Sequence, residues 1–167
     1  MEFSEALFQR RSIRNFTSEE VEEEKLEKLV EAGMTAPSAN NRQPWHFVII
    51  RSDETMEEIM DVHPYSSMLA GASAAISVCG NTDRSESYWV QDCSAATQNL
   101  LLMAENLGLG AVWLGVYPRP ERREKIGEIL DLPPHIEPLN VVAVGYPAEE
   151  SKRVDRYDPD SVHRESW

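Results

Sequence analysis

The sequence predicts a layered fold of helices and strands, α/β or α+β, and three observations carry that prediction. Helix-like and strand-like segments alternate along the whole chain. The strand-like segments are short apolar runs such as Phe47-Val48-Ile49-Ile50, far below the ~20 residues of a membrane span. At 167 residues, with 41% hydrophobic and 27% charged residues, the chain suits one soluble domain, 1–167, with a real core.

Each element follows from local signals. Residues 3–9 read as a short helix leading into Arg10-Arg11-Ser12-Ile13-Arg14. Thr17-Ser18-Glu19-Glu20 has the form of a capping box, with Thr17 as N-cap and Glu20 three residues on, and predicts a helix to about Met34. Leu26, Leu29, Val30 and Gly33 share its inner face, and the acidic run Glu19 to Glu24 suits its first turns. His46 to Arg51 reads as a buried strand. Asp53 then caps a helix with Met56, Ile59 and Met60 inward, and Ala74 to Gly80 is a second strand. Tyr88 to Leu107 is a long helix, apolar nearly all round and therefore buried, centrally or against another chain. Gly108 ends it as a left-handed cap. Ala111 to Val116 is a third strand, Glu121 to Leu130 a helix and Leu139 to Tyr146 a fourth strand. The tail 147–167 is polar, yet its last residue is Trp167, which makes sense if the tail docks on something.

Composition removes several function classes. With 29 Asp plus Glu against 16 Lys plus Arg, a net charge of -13 argues against nucleic-acid binding. The four histidines, at 46, 63, 135 and 163, form no H-x-x-x-H pair, so no metal site is expected. Cys79 and Cys93 have no CxxC spacing and read as reduced, buried thiols of a cytoplasmic protein. The first residues lack the pattern of a secretory signal, and no membrane association is expected.

Two polar clusters remain. Residues 10–14 pack three guanidinium groups and a hydroxyl together, an arrangement that is costly unless an anion sits against it and that suits a phosphate. Residues 37–45, Pro-Ser-Ala-Asn-Asn-Arg-Gln-Pro-Trp, are dense in amides, which both donate and accept, as the edge of a heterocycle such as a flavin requires. Together they suggest a nucleotide-type cofactor. No nucleophile–base pair and no G-x-G-x-x-G after a strand is recognisable.

These motifs carry a resemblance to a known family. Arg10-Arg11-Ser12-x-Arg14, Pro37-Ser38-Ala39-x-Asn41-x-Gln43-Pro44-Trp45 and Gln98-Asn99-Leu100 come first. Leu107-Gly108-Leu109-Gly110-Ala111-x-Trp113-x-Gly115, Val144-Gly145-Tyr146-Pro147 and the tail from Arg156 to Trp167 follow. In this order they resemble the FMN-dependent nitroreductase family in its short form. The resemblance implies an α+β fold, with helices around a mostly antiparallel sheet of four to five strands. It also implies an intertwined homodimer with exchanged C-terminal tails. It implies non-covalent FMN, with Arg10 and Arg14 at the phosphate and ribityl chain and Arg11 and Ser12 at the pyrimidine side of the ring. Pro37, Ser38, Ala39 and Asn41 would come from the other subunit, with Gln43 orienting their loop and Trp45 filling the core. Trp113, Leu114 and Gly115 would follow the ring, the Gly115 backbone amide facing flavin N5. Arg156, with Arg153 or Lys152, would complete the phosphate site. Gln98 and Asn99 read as partnered amides of the buried helix.

The reaction implied is ping-pong: NAD(P)H gives hydride to flavin N5, and a small-molecule acceptor such as a nitroaromatic or quinone then takes its place. The flavin would carry the chemistry, with no catalytic side chain. Other readings stay open at this point. One is a flavin-dependent dehalogenase or flavin-degrading enzyme of the same fold, although 81–87 is too short for the lid such relatives carry. Another is a non-catalytic flavin-binding or sensor protein.

Overall fold

A computed structural model describes residues 3–149 and 154–167. The helices are α1 (Phe3–Gln9), α2 (Glu23–Met34), α3 (Asp53–Val62), α4 (Trp89–Asn106) and α5 (Pro120–Ile129). The strands are β1 (Trp45–Ile50), β2 (Ala74–Asn81), β3 (Gly110–Gly115) and β4 (Ile136–Gly145). They form one sheet in the order β1-β2-β4-β3, and every neighbouring pair is antiparallel. The fold is α+β.

Helices cover both faces of the sheet. On one face Ile76, Val78, Val142 and Val144 pack beneath Leu26 and Leu29 of α2 and Ala96 and Leu100 of α4. On the other, Ala75, Val112, Leu114, Val141 and Ala143 pack beneath Met56 and Ile59 of α3 and Ile126 of α5. The central strands β2 and β4 are therefore buried on both sides, which is why they read as continuous apolar runs without alternation.

Two helix starts differ from the sequence reading. The Thr17–Glu20 motif does not open a helix. Thr17 Oγ1 accepts from Glu19 N at 3.3 Å, and α2 begins only at Glu23, with no side-chain cap. The preceding segment is held elsewhere: Thr17 N donates to Tyr146 O, and Val21 N donates to Ser73 Oγ at 2.7 Å. Before α3 the cap is Ser52, whose Oγ accepts from Thr55 N, and Asp53 is the first helical residue. Gln98 is exposed on this chain, whereas Asn99 Nδ2 donates to Ala32 O and Thr35 Oγ1 and ties α4 to α2. Gly108, at φ +73°, ends α4 and turns the chain into β3, with Leu109 N donating to Ala104 O at 2.8 Å.

Candidate functional site

Residues 10–14 are set by an edge pairing. Ser12 bridges in parallel to Ala111 at the outer edge of β3, and Ile13 N donates to Ala111 O at 3.0 Å. Ile13 is buried and lies so close to Gly110 that a Cβ there would stand 2.7 Å from its Cγ2. With Ile13 anchored inward, the polar neighbours on either side are left along the rim of β3.

The guanidinium groups divide into two sets. Arg10 stands in the field of Arg11 and of Arg156 from the tail. Burial first, then the Arg156 and Arg11 charges, lowers its pKa below the ordinary arginine value, while Glu105 at the end of α4 acts the other way. Arg11 Nη1 donates to Arg10 O at 2.6 Å, but its Nε and Nη2 are buried without a hydrogen-bond partner. Buried donors of this kind are costly until an acceptor arrives. Three like charges with orphaned donors fit an anionic group such as the FMN phosphate.

Arg14 belongs to the second set. It lines a cavity of about 510 Å³ together with Trp113, Leu114, Gly115, His63, Tyr65 and Arg122, beside β3. The Gly115 carbonyl receives two bonds here, from His63 Nε2 at 2.9 Å and from Arg122 Nη1 at 3.1 Å. Tyr65 N donates to His63 Nδ1 at 3.3 Å, so the ring is the neutral Nε2–H tautomer, donating to Gly115 and accepting from Tyr65. Burial lowers the pKa of His63, and the Arg122 charge adds to the effect. Arg122 also lies over the Tyr65 ring, 5.5 Å from its centroid.

Residues 37–45 lie elsewhere. The loop precedes β1, at the opposite edge of the sheet from β3 and at the opposite end from Gly110. Two intervening strands alone separate the edges by about 14 Å. Asp92, buried on α4, fixes the loop by accepting from Ala39 N at 3.0 Å. Ser38 Oγ accepts from Gln43 N, and Gln43 Nε2 donates to Asn41 Oδ1. Asn41 and Gln43 adopt left-handed backbones, φ +55° and +47°, which asparagine tolerates better than glutamine. Pro37 is exposed, Ser38 and Ala39 are half-buried, and Trp45 is core. A single chain thus gathers Arg10, Arg11 and Arg156 at one place and Arg14 with 113–115 at another, and does not bring the 37–43 loop to either. Arg153 and Lys152 lie outside the described residues.

His63 and Arg122 were not singled out from the sequence. For His63 a signal exists: it continues the inward series Met56, Ile59, Met60 at helical spacing, and a buried histidine needs partners. Arg122 carries none. No thiol chemistry is available nearby, because burial pushes Cys79 up to about 11 and Cys93 up to about 12.

The family model "Nitroreductase family" matches residues 7–64 and 62–146. The chain belongs to the nitroreductase family. A relative from Methanothermobacter thermautotrophicus, named provisionally as an NADH dehydrogenase/NAD(P)H nitroreductase, is 46% identical over 169 residues. The match covers 100% of this chain and 88% of the relative. Among solved structures, a protein from Parabacteroides distasonis with the same provisional name superimposes with a TM-score of 0.97 at 44% identity, covering 99% of this chain and 98% of that one. A provisionally named nitroreductase from Desulfovibrio desulfuricans, solved in complex with FMN, superimposes at 0.86 with 32% identity, covering 100% of this chain and 98% of its own. The antiparallel sheet and its flanking helices are those of nitroreductases.

Proposed function

We propose that this chain is an FMN-dependent NAD(P)H oxidoreductase, acting as a homodimer and passing hydride from a nicotinamide donor to a nitroaromatic, quinone or similar small acceptor. The observation that carries this is the rim of β3. A cluster of guanidiniums with two orphaned Arg11 donors lies at one place and the cavity bounded by Gly115 at another. The relatives named for NAD(P)H and the FMN complex support donor and cofactor.

FMN, when bound, supplies the hydride acceptance and return that no side chain here can perform. The chain holds and orients it. Arg10, Arg11 and Arg156, with Ser12, take the phosphate end by charge-assisted bonds. Trp113, Leu114 and Gly115 border the ring, and His63 with Arg122 fixes the Gly115 peptide. His63 is neutral with both nitrogens engaged, so it orients rather than donates a proton. A second copy contributes Pro37, Ser38, Ala39, Asn41 and Gln43, because the loop of the chain that supplies the β3 rim lies at the opposite edge of its own sheet. Tail residues 154–167 are exposed on one chain, Trp167 fully so, which suits docking on that second copy. Donor and acceptor occupy the same place in turn. Two buried free thiols suit a cytoplasmic location.

The test is colour and bleaching. Purified protein should be yellow, release free FMN on acid denaturation, and bleach anaerobically with NADH or NADPH. A colourless protein that binds no added FMN refutes the reading. Loss of residues 157–167 should weaken both dimer and flavin retention, measured by sedimentation and flavin content.

A further inference from the structure

We infer that Arg42 and Arg84, a guanidinium pair where the 37–43 loop meets the turn after β2, bind a phosphate group of the nicotinamide donor. This rests on the shared-site reading above, in which that loop serves the flavin ring of a second copy. Each arginine is anchored on the other's segment. Arg42 Nη1 donates to Arg84 O at 3.2 Å, and Arg84 Nη1 donates to Gln43 O at 3.1 Å. Asn81 Oδ1 accepts from Arg84 N at 3.0 Å and holds the turn. Arg51 and Arg123 each pair with a carboxylate. Among the described residues neither Arg42 nor Arg84 enters an ion pair, in a chain with 29 acidic and 16 basic residues. Asp83 and Glu86, exposed on either side of Arg84 in the sequence, stand beyond ion-pair distance. The field at the neighbouring β1 residue His46 is positive: burial lowers its pKa, and the charges of Arg84 and His135 add to the effect.

The cofactor leaves this pair unused. In the reading above the FMN phosphate falls to Arg10, Arg11 and Arg156 beside β3, at the opposite edge of the sheet. The loop borders the ring instead, and a nicotinamide must lie over that ring to hand on its hydride. One ribose separates the nicotinamide from the donor's diphosphate, and the second ribose carries the 2′-phosphate of NADPH. Cations on a loop beside the ring stand where these phosphates leave the flavin. A guanidinium carries five N–H donors in a fixed fork, so one bond to a backbone carbonyl leaves donors for a phosphate. Anchoring each side chain beforehand also cuts the ordering cost of binding. The phosphate has two sources, the diphosphate common to both donors or the 2′-phosphate of NADPH.

The experiment uses the flavin-loaded dimer, wild type against Arg42→Gln and Arg84→Gln. Efficiency kcat/KM is measured for NADPH, NADH and reduced nicotinamide riboside, which has the same nicotinamide and no phosphate. Each variant should lower the same ratio about ten-fold. A fall of NADH relative to the riboside assigns the diphosphate, and a fall of NADPH relative to NADH assigns the 2′-phosphate. Arg42→Lys should keep part of that ratio. Calorimetric titration of the wild-type protein with adenosine, ADP and 2′-AMP reads the same preference without turnover and without a variant. One of the two phosphates should tighten binding about ten-fold over adenosine. Arginines that only shape the loop would cost all three donors equally and lower flavin retention with them. Ratios unchanged in either variant, or titrations indifferent to phosphate, overturn the inference. A purified protein without flavin absorbance, or a monomer in sedimentation, instead refutes the reading on which it rests.

Discussion

Along β3 the outer rim is closed by Ser12 and Ile13 and carries arginines and a cavity, whereas β1, at the other edge, is entered from a tight amide-rich loop held by Asp92. The first edge offers charge and space. The second offers shape: left-handed turns at Asn41 and Gln43 and a buried carboxylate beneath Ala39. Neither edge makes a complete nucleotide site. The sheet that positions both also keeps them apart, so the division of labour within one chain is itself an argument for two chains.

Complementation breaks or sharpens that comparison most strongly. Arg10→Ala damages the β3 rim, and Ser38→Trp damages the loop before β1. If sites are shared across a two-fold axis, each variant alone is poor. Mixing them at equal amounts makes half the dimers mixed, and each mixed dimer has one site with both parts intact. Unfolding and refolding the pair together should then restore about a quarter of wild-type activity. No recovery, with mixed dimers verified by mass spectrometry, would show that each chain works alone.

The next effect isolates the rim. Arg10→Ala should weaken FMN by about 1.5–3 kcal/mol, roughly ten- to a hundred-fold, while riboflavin, lacking the phosphate, changes less. Stability of the flavin-free protein should move the other way or hold, because Arg10 is already disfavoured by burial and by Arg156 and Arg11. Fluorescence titration and thermal melting report the two signs. A flavin-free protein destabilised as much as the complex would mean that Arg10 serves the fold.

A third effect tests how the rim is held. At Gly110 a Cβ would meet Ile13 Cγ2 at 2.7 Å, so Gly110→Ala must push residues 10–14 off β3. Overpacking of this kind costs about 1–3 kcal/mol. FMN affinity should fall with it. Gly127→Ala on α5, where a Cβ meets nothing within 4 Å, should instead stabilise by up to about 1 kcal/mol. Chemical denaturation of both variants decides. If Gly110→Ala leaves FMN affinity intact, the edge pairing does not position the arginines.

What was legible in the sequence follows the same division. Helices and strands announced themselves through periodicity and through Gly108. The choice between α/β and α+β did not, because strands covered on both faces lose the alternation that would mark an antiparallel sheet. The start of α2 was misread because a capping box is a local pattern, and its competitor was distant: Ser73 takes Val21 N across 52 residues. The arginine and amide clusters stood out as dense runs. His63 and Arg122 did not, since one lone histidine and one helical arginine acquire meaning only when the fold brings both to the Gly115 carbonyl.

The smallest effect concerns that carbonyl. His63 is held neutral, with Nδ1 accepting from Tyr65 N, so a proton added at Nδ1 would face the Tyr65 N–H donor. Burial, then the Arg122 charge, lowers its folded pKa below the ordinary 6.5. The unfolded chain therefore binds the proton first. The stability contribution is complete above pH 6.5 and is lost as pH falls below it towards the folded value. His46 shifts in the same direction, through burial and then Arg84 and His135, so it acts in the same window. Melting temperatures between pH 7.5 and 5 should fall in the wild type, less steeply in His63→Gln, and least in His63→Gln/His46→Gln. Flavin absorbance should discriminate the two histidines. Only His63 touches the Gly115 peptide, so only its protonation should perturb the bound flavin spectrum over that range. An identical spectral titration in wild type and His63→Gln would leave His63 a part of the core and remove it from the site.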